Sequence, residues 1–419
     1  MAQAVPARLD AHFDADPATE RTPALSPAAA LGDIRIAVYE DLAAIEREWR
    51  AFEPQADCTV FQSFDWLATW QRHIGTPSGV QPAIVVGRDG AGAILFILPL
   101  SVRAAGWIRE LTWLGSELCD YNAPLLARAF SARIDRARFL ALWQDITRSL
   151  QAHPRLRYDV IALAKMPETV GAQQNPMRYL GGTINPSGAY LTHLTGEWEA
   201  FYTGKRSSAT RRRDRTKRKK LSEFGEIRFI NLDSVGEILS SLDTLMAQKA
   251  KSFARMGVGN LFARPGHADF YRTLATDPAT RSIVHVSRLD VGAAAAAVNL
   301  ALVHRGRYYH LLASYTDCDL SRFGPGAAHL HDLMHYAIDR GCDIFDFTIG
   351  DERYKRDWCD IELKLYDLIA PVTWRGAFVA MPMLAAQRIK RWIKQTPVVW
   401  NAFSAARAFA GSLVRRGRG

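Results

Sequence analysis

The sequence is poor in cysteine and lacks any long apolar run. Its 419 residues include five cysteines, Cys58, Cys119, Cys318, Cys342 and Cys359, an odd number with no Cys-x-x-Cys pair. That usage argues against a disulfide framework or a zinc ribbon and fits a reducing compartment. No stretch of 18 apolar residues occurs, so no segment reads as a membrane-spanning helix. The start of the chain lacks a basic segment followed by an apolar one, the pattern of a secretory signal. The expectation is a cytoplasmic protein.

Acidic residues are nearly missing from two stretches. Lys205–Lys220 holds ten basic residues and one acid, Asp214, while Gln387–Gly419 holds eight basic residues and no acid. Their charges, +9 and +8, exceed the chain's net +10 by seven, so the rest of the chain is acidic. A basic patch on an acidic body implies a local anionic partner and not a uniformly cationic protein. With 48% hydrophobic and 10% aromatic residues there is ample material for a core. At about 150 residues per domain the length suggests two or three compact units.

Residues 1–32, rich in Ala, Pro, Asp and Thr, show no periodicity and are expected to form a disordered leader. Alternation in "DIRIAVYE" predicts a strand, and "DLAAIEREWRAFE" an amphipathic helix. In "FQSFDWLATWQRHIG" the spacing of Phe61, Phe64, Trp66 and Trp70 predicts a helix packed on the core. "QPAIVVGRDG" and "AGAILFILPLSVRAA" flank an Asp-Gly turn, a hairpin signal. A strand and loop ("IRELTWLGSELCDYNAPLLA"), a helix ("RIDRARFLALWQDITRSLQ") and a strand ("YDVIALAKMP") follow. From "GAYLTHLT" onward an α/β order returns in looser form, with one or two basic helices, a strand, the helix Val235–Phe253 and a three-strand meander. "IELKLYDLIAPVTWRG" reads as one last strand. The repeated order predicts an α/β fold of two tandem lobes, 33–187 and 188–378, followed by a basic amphipathic tail, 379–419. Trp392, Trp400, Phe403 and Phe409 among the tail's arginines suit a helix lying on an anionic membrane.

After the meander, "SRFGPGAAHLHDLMHYAIDRG" opens a helix on a Gly-Pro-Gly turn. The first N–H groups of a helix lack internal partners and carry partial positive charge, and glycine lets a ligand approach the backbone closely. Such a start suits a pyrophosphate, although an ordinary helix start has the same composition. His331 and His335 stand four apart on that helix, but Asp332 follows where His-Glu-x-x-His requires Glu, so a polar helix face is the expectation and no metal is assigned.

Meander, glycine turn, helix and the strand "DIFDFTIG" in this order resemble the GNAT acyltransferase fold, a mixed sheet flanked by helices. The "FQSFDWLATW" segment, the basic helix, the Pro-Gly turn and "FDFTIGDERYKRDW" are together similar to the CelD/BcsL-type (BioF2-like) acetyltransferases, a GNAT branch related to Fem-type aminoacyltransferases. The resemblance implies an acyl-CoA co-substrate, with Ser321, Arg322, Gly324, Gly326 and Ala327 holding its diphosphate. This chain departs from the family's Q/R-x-x-G-x-G/A pattern, because Ser321 takes the first position and Arg322 stands one place late. Acyl transfer to an amine or hydroxyl needs a base, carbonyl polarisation and a proton for the thiolate. Asp351 or Asp346 is the expected base or amine-orienting carboxylate, Tyr354 the acid, and Lys355 a charge stabiliser or phosphate contact. Asp351 would alternatively cap a helix and pair with Lys355. Asp120, Tyr121 and His310 are candidate acceptor contacts. The resemblance implies a saccharide or cell-envelope precursor as acceptor. A Fem-type enzyme using aminoacyl-tRNA and a silent GNAT-like binding module are the alternatives, and nucleic acid is the less favoured partner of the basic run.

Overall fold

The computed structural model describes residues 30, 31 and 34–395. Most of the expected leader and the tail beyond 395 lie outside the described residues. Ala30–Leu31, assigned above to the leader, instead pairs with the first long strand.

The first half runs β1 (Ile34–Tyr39), α1 (Glu46–Phe52), α2 (Phe64–Trp70), β2 (Gln81–Arg88), β3 (Ile94–Ala105), β4 (Ile108–Trp113), α3 (Arg136–Ala152) and β5 (Val160–Pro167). The predicted hairpin forms between β2 and β3, and the Asp89 carboxylate accepts from the N–H groups of Ala91 and Ala93 to close its turn. Ser63 caps α2 by accepting from the Trp66 N–H.

The second half runs β6 (Ala189–His193), α4 (Trp198–Lys205), α5 (Ser208–Ser222), β7 (Ile227–Asn231), α6 (Val235–Met256), α7 (His267–Thr276), β8 (Val284–Val291), β9 (Ala294–His304) and β10 (Arg307–Tyr315). It continues with α8 (Pro325–Asp339), β11 (Ile344–Ile349), α9 (Arg353–Arg356), β12 (Ile361–Leu363), β13 (Leu365–Pro371) and α10 (Trp374–Gln395). The basic run becomes α5, whose start is capped by Ser207 accepting from the Thr210 N–H.

Both halves repeat strand, helices, antiparallel meander, helix and a strand parallel to the meander's last. The parallel pairs are β4 with β5 and β10 with β11. The first sheet contains the run β1-β2-β3-β4-β5-β13, edged by the short strands Ala30–Leu31 beside β1 and Thr183–Ile184 beside β13, and the second has the order β7-β8-β9-β10-β11-β6-β12.

The stretch read as one last strand divides at Lys364. Ile361–Leu363 lies on the second sheet's edge against β6, whereas Leu365–Pro371 crosses back to pair with β5 in the first sheet. Leu365–Leu368 is buried at every position, as a strand covered on both faces must be. The two lobes are thus laced together, and the assignment of 365–371 to the second lobe is corrected. A chain ending at Lys364 should retain all strands of the second sheet yet lose the native first lobe. Circular dichroism and limited proteolysis check this, with rapid cleavage before residue 170 as the expected result.

The aromatics of α2 and the turn before it serve both lobes. Phe61, Phe64, Trp66 and Trp70 are buried, Trp66 meets Phe270 of α7 edge-on at 5.0 Å, and Phe61 meets Tyr309 of β10 at 5.8 Å. Such pairs add roughly 0.5–1.5 kcal/mol each beyond their buried area. The lobe interface is therefore a continuous core.

Candidate active site

Each lobe has a place where its parallel strands diverge. β10 and β11 pair only from Arg307 with Ile344 to Tyr309 with Asp346, then separate as β10 runs on to Tyr315 and β11 to Ile349. β4 and β5 pair at only two positions, Glu110 with Val160 and Leu111 with Ile161. Chain fills the opening in the first lobe, where Asn122 donates its backbone N–H to the Lys165 carbonyl and its side-chain amide to the Ala164 carbonyl, each at 3.0 Å. The helix after the first meander is also closed to phosphate, because the Asp135 carboxylate caps α3 and accepts from the Arg138 N–H at 2.8 Å.

The corresponding helix of the second lobe is open. Gly324, at φ +69°, precedes Pro325, and no side chain caps α8. A cavity of about 410 Å³ adjoins this turn, lined by Gly324 and Ala327, by Trp198 and Tyr202 of α4, by Trp358, and by one face of α5. Tyr202 stacks on Trp198 at 5.1 Å and on Trp358 at 6.1 Å. The Arg206 guanidinium lies 4.7 Å from the Trp358 ring centre. Of the basic residues on the α5 face, Arg211 is tied to the Thr203 and Arg206 carbonyls, and Arg218 to Asp332. Arg215 and Lys217 stay exposed along the wall, and the Lys217 ammonium reaches the Gly324 turn. An aromatic shelf, a helix start without a side-chain cap and unspent cations suit a phosphorylated ligand with a flat ring.

Of the residues expected at the diphosphate, Gly324 and Ala327 line this cavity, and Gly326 lies beneath the Tyr315 ring. Ser321 accepts from the Gly324 N–H through its carbonyl, and Arg322 lies over the Phe323 ring, so neither side chain forms part of the wall. The charge that the departed pattern lacks comes from α5. His331 packs edge-on against Trp198 and Tyr202, and His335 stacks on Trp198, so both support the aromatic shelf.

Asp346 faces the other lobe. Its Oδ1 accepts from the Tyr121 hydroxyl at 2.8 Å and from the Thr348 N–H at 2.7 Å, and its Oδ2 lies 2.5 Å from Arg307. It is fully buried, with Oδ1 held by Tyr121 and Thr348 and Oδ2 against Arg307, so it ties β11 to the other lobe and is not open to an acceptor as the expected base would be. Burial and the Asp346 charge push the Tyr121 pKa well up, keeping that hydroxyl a donor. Tyr121 and Arg307 also line an interlobe cavity of about 490 Å³. Lys355 is buried, donating to the Ile349 carbonyl at 2.9 Å and pairing with Glu352 at 3.1 Å, which corrects its expected phosphate contact. Glu352, not Asp351, is the residue at the start of α9, and no side-chain bond caps that helix. The Asp351 charge acts on Arg356 and Tyr190.

Asp120 is partly buried near Thr348 and Lys165, both of which favour its ionised form. Burial raises its pKa, and Lys165, whose ammonium also serves the Ser116, Glu117 and Cys119 carbonyls, offsets this only in part. Thr348 holds φ +58°, a costly conformation for a β-branched residue and one found where surroundings impose it. His310, the first β10 residue past the last pair, sits between Phe345 and Phe347 with Nδ1 unpartnered among the described residues. Burial first, then Lys355, lowers its pKa to about 3, so it is a neutral donor or acceptor at physiological pH. Tyr354 is exposed and packs edge-on with Phe347. Lys249 of α6 was not anticipated. Its ammonium acts on the same region near Lys355 and Glu352, and burial lowers its pKa.

Residues 208–356 match the model of an acetyltransferase (GNAT) domain. The fold is similar to the crystal structure of FemX, with a TM-score of 0.57, 10% identity, and coverage of 80% of this chain and 97% of that one. It is also similar to a conserved protein of unknown function from Bacteroides thetaiotaomicron VPI-5482, with a TM-score of 0.50, 12% identity, and coverage of 81% of this chain and 100% of that one. No curated protein matches the chain. Diverging parallel strands, an open glycine-started helix and the matched segment coincide in the second lobe, so that lobe is similar to a GNAT acetyltransferase domain and the chain has a two-lobed, GNAT-like α/β fold similar to that of FemX.

Proposed function

We propose that the chain transfers an acyl group from an acyl-CoA to an amine or hydroxyl of a saccharide or cell-envelope precursor, the acceptor class of the CelD/BcsL-type enzymes it resembles. The observation that carries this reading is the cavity at the start of α8, where an aromatic shelf and the α5 cations flank a helix start that no side chain caps. The CoA phosphates bind there, and the pantetheine arm passes into the opening between β10 and β11. The acceptor approaches from the lobe interface. Its nucleophile attacks the thioester carbonyl as Asp120 takes its proton, the C–S bond breaks, and Tyr354 supplies a proton to the departing thiolate. The neutral His310 ring is placed to polarise the carbonyl.

Calorimetry with acetyl-CoA tests the donor site. Micromolar binding is expected, weakened about 10- to 100-fold in the Arg215→Ala/Lys217→Ala variant and by raised salt, because each lost phosphate contact is charge-assisted. Binding unaffected by that double change would remove the α5 face from the site. The outward row Arg212, Arg213, Lys219 and Lys220, all exposed, favours a second reading in which aminoacyl-tRNA is the donor. Absence of CoA binding together with salt-sensitive tRNA binding would select it.

A further inference from the structure

We propose that the outer face of α10, together with Trp107, docks on an anionic lipid surface. The helix is built with its amphipathicity inverted. Gly376, Val379 and Ala380 face the first lobe, where Ala380 is fully buried against Ile108 and Val160. At Gly376 a side chain would collide with the Asp159 carbonyl, since a Cβ there would lie 1.9 Å from that oxygen. The large side chains point away. Trp374 is 72% exposed, Phe378 69% and Trp392 60%, with Met381 and Ile389 similarly open. At 3.6 residues per turn these five fall within an arc of about 80°, a continuous stripe roughly 27 Å long.

The stripe continues onto the neighbouring hairpin. Trp107, at the turn between β3 and β4, is more than half exposed, and Arg375 donates to its carbonyl with the guanidinium 5.4 Å from its ring centre. From Trp374 to Gln395 the sequence has five basic residues and no acid, and Arg375 and Arg388 flank the stripe on either side. Single exposed apolar residues are ordinary, whereas a contiguous aromatic band edged only by cations is the composition of an interfacial helix. Among the described residues no helix is long and apolar enough to cross a membrane, so the helix would lie flat on the surface. The start of this element at Trp374 moves the expected tail boundary upstream from 379.

Charge decides among the occupants. A second copy would bring the same arginines against one another. The following segment, 396–419, has four arginines and no acid, so it adds to the attraction for an anionic surface and does not neutralise the face. The test is co-sedimentation of the full chain with vesicles of phosphatidylcholine alone or with 30% phosphatidylglycerol. Anionic vesicles should bind at least tenfold more protein, and Phe378→Ser/Met381→Ser should reduce that binding at least tenfold while the melting temperature and acetyl-CoA affinity stay unchanged. Equal binding to both vesicle types, binding by the variant at the level of the parent, or binding lost only on truncation after residue 395 would each overturn the proposal. So would sedimentation equilibrium showing a dimer that the same double variant dissociates.

Discussion

Replacing Gly326 with glutamate should abolish acyl-CoA binding, at least a 100-fold loss, while the protein remains folded. The two effects have opposite signs because they act on the same partial charge. A carboxylate in the first turn of a helix stabilises it by about 0.3–1 kcal/mol, but here it would set a negative charge at the helix start proposed to hold the diphosphate. The new Cβ would meet the Tyr315 ring at 3.1 Å, and that ring is 48% exposed, so it can swing aside. Gly326→Ala introduces the same Cβ without charge and should lose no more than about tenfold, since a ring displacement without a cavity or buried polar group costs around 1 kcal/mol. Thermal melts paired with calorimetry separate the two variants. A glutamate variant that binds acetyl-CoA like the parent would place the ligand elsewhere.

The sequence revealed what depends on local chemistry. The aromatic spacing in "FQSFDWLATW", the Asp-Gly hairpin and the glycine turn each follow from periodicity or backbone freedom within about ten residues, and each forms as expected. What it hid depends on distant partners. Nothing in "IELKLYDLIAP" marks the crossing at Lys364, because no glycine or proline interrupts the run and both pieces are extended. Asp346 read as a catalytic carboxylate from its place on the strand, yet its partners Tyr121 and Arg307 come from elsewhere in the chain. The basic run gave no sign of its role, since the cavity wall arises only when α4, α5 and α8 meet. Trp198, Tyr202 and Trp358 look like core residues by spacing and are largely that, with one ring face lining the cavity. Tyr121 and Asp120 were legible as a polar loop at a strand end, but the loop's filling of the first lobe's opening was not.

That division between local and distant information gives Asp120 its importance. It reaches the second lobe only because the loop carrying it plugs the first, so its partly buried position is a product of the two-lobed fold. Asp120→Asn should lower turnover by about 10²–10⁴, the usual contribution of a positioned general base, without weakening acetyl-CoA binding. The pH dependence follows from the direction of its shift. Burial raises the folded pKa above the unfolded value, so the protonated acid is the form that folding favours. The stability this confers is fully present below the unfolded pKa and is lost as pH rises through the folded one. Ionised Asp120 therefore destabilises the protein at neutral pH, and the Asn variant should melt higher there, with the difference vanishing in acid. Activity runs the other way, rising as the carboxylate ionises, and the limb belonging to Asp120 should be missing in the variant. A limb common to both proteins belongs to the acceptor amine. If Asp120 were merely a loop anchor, the substitution would leave turnover within about twofold and both pH profiles alike. A site that gives up stability to keep a charge partly out of water, and loses rate when the charge is removed, is one shaped for proton transfer.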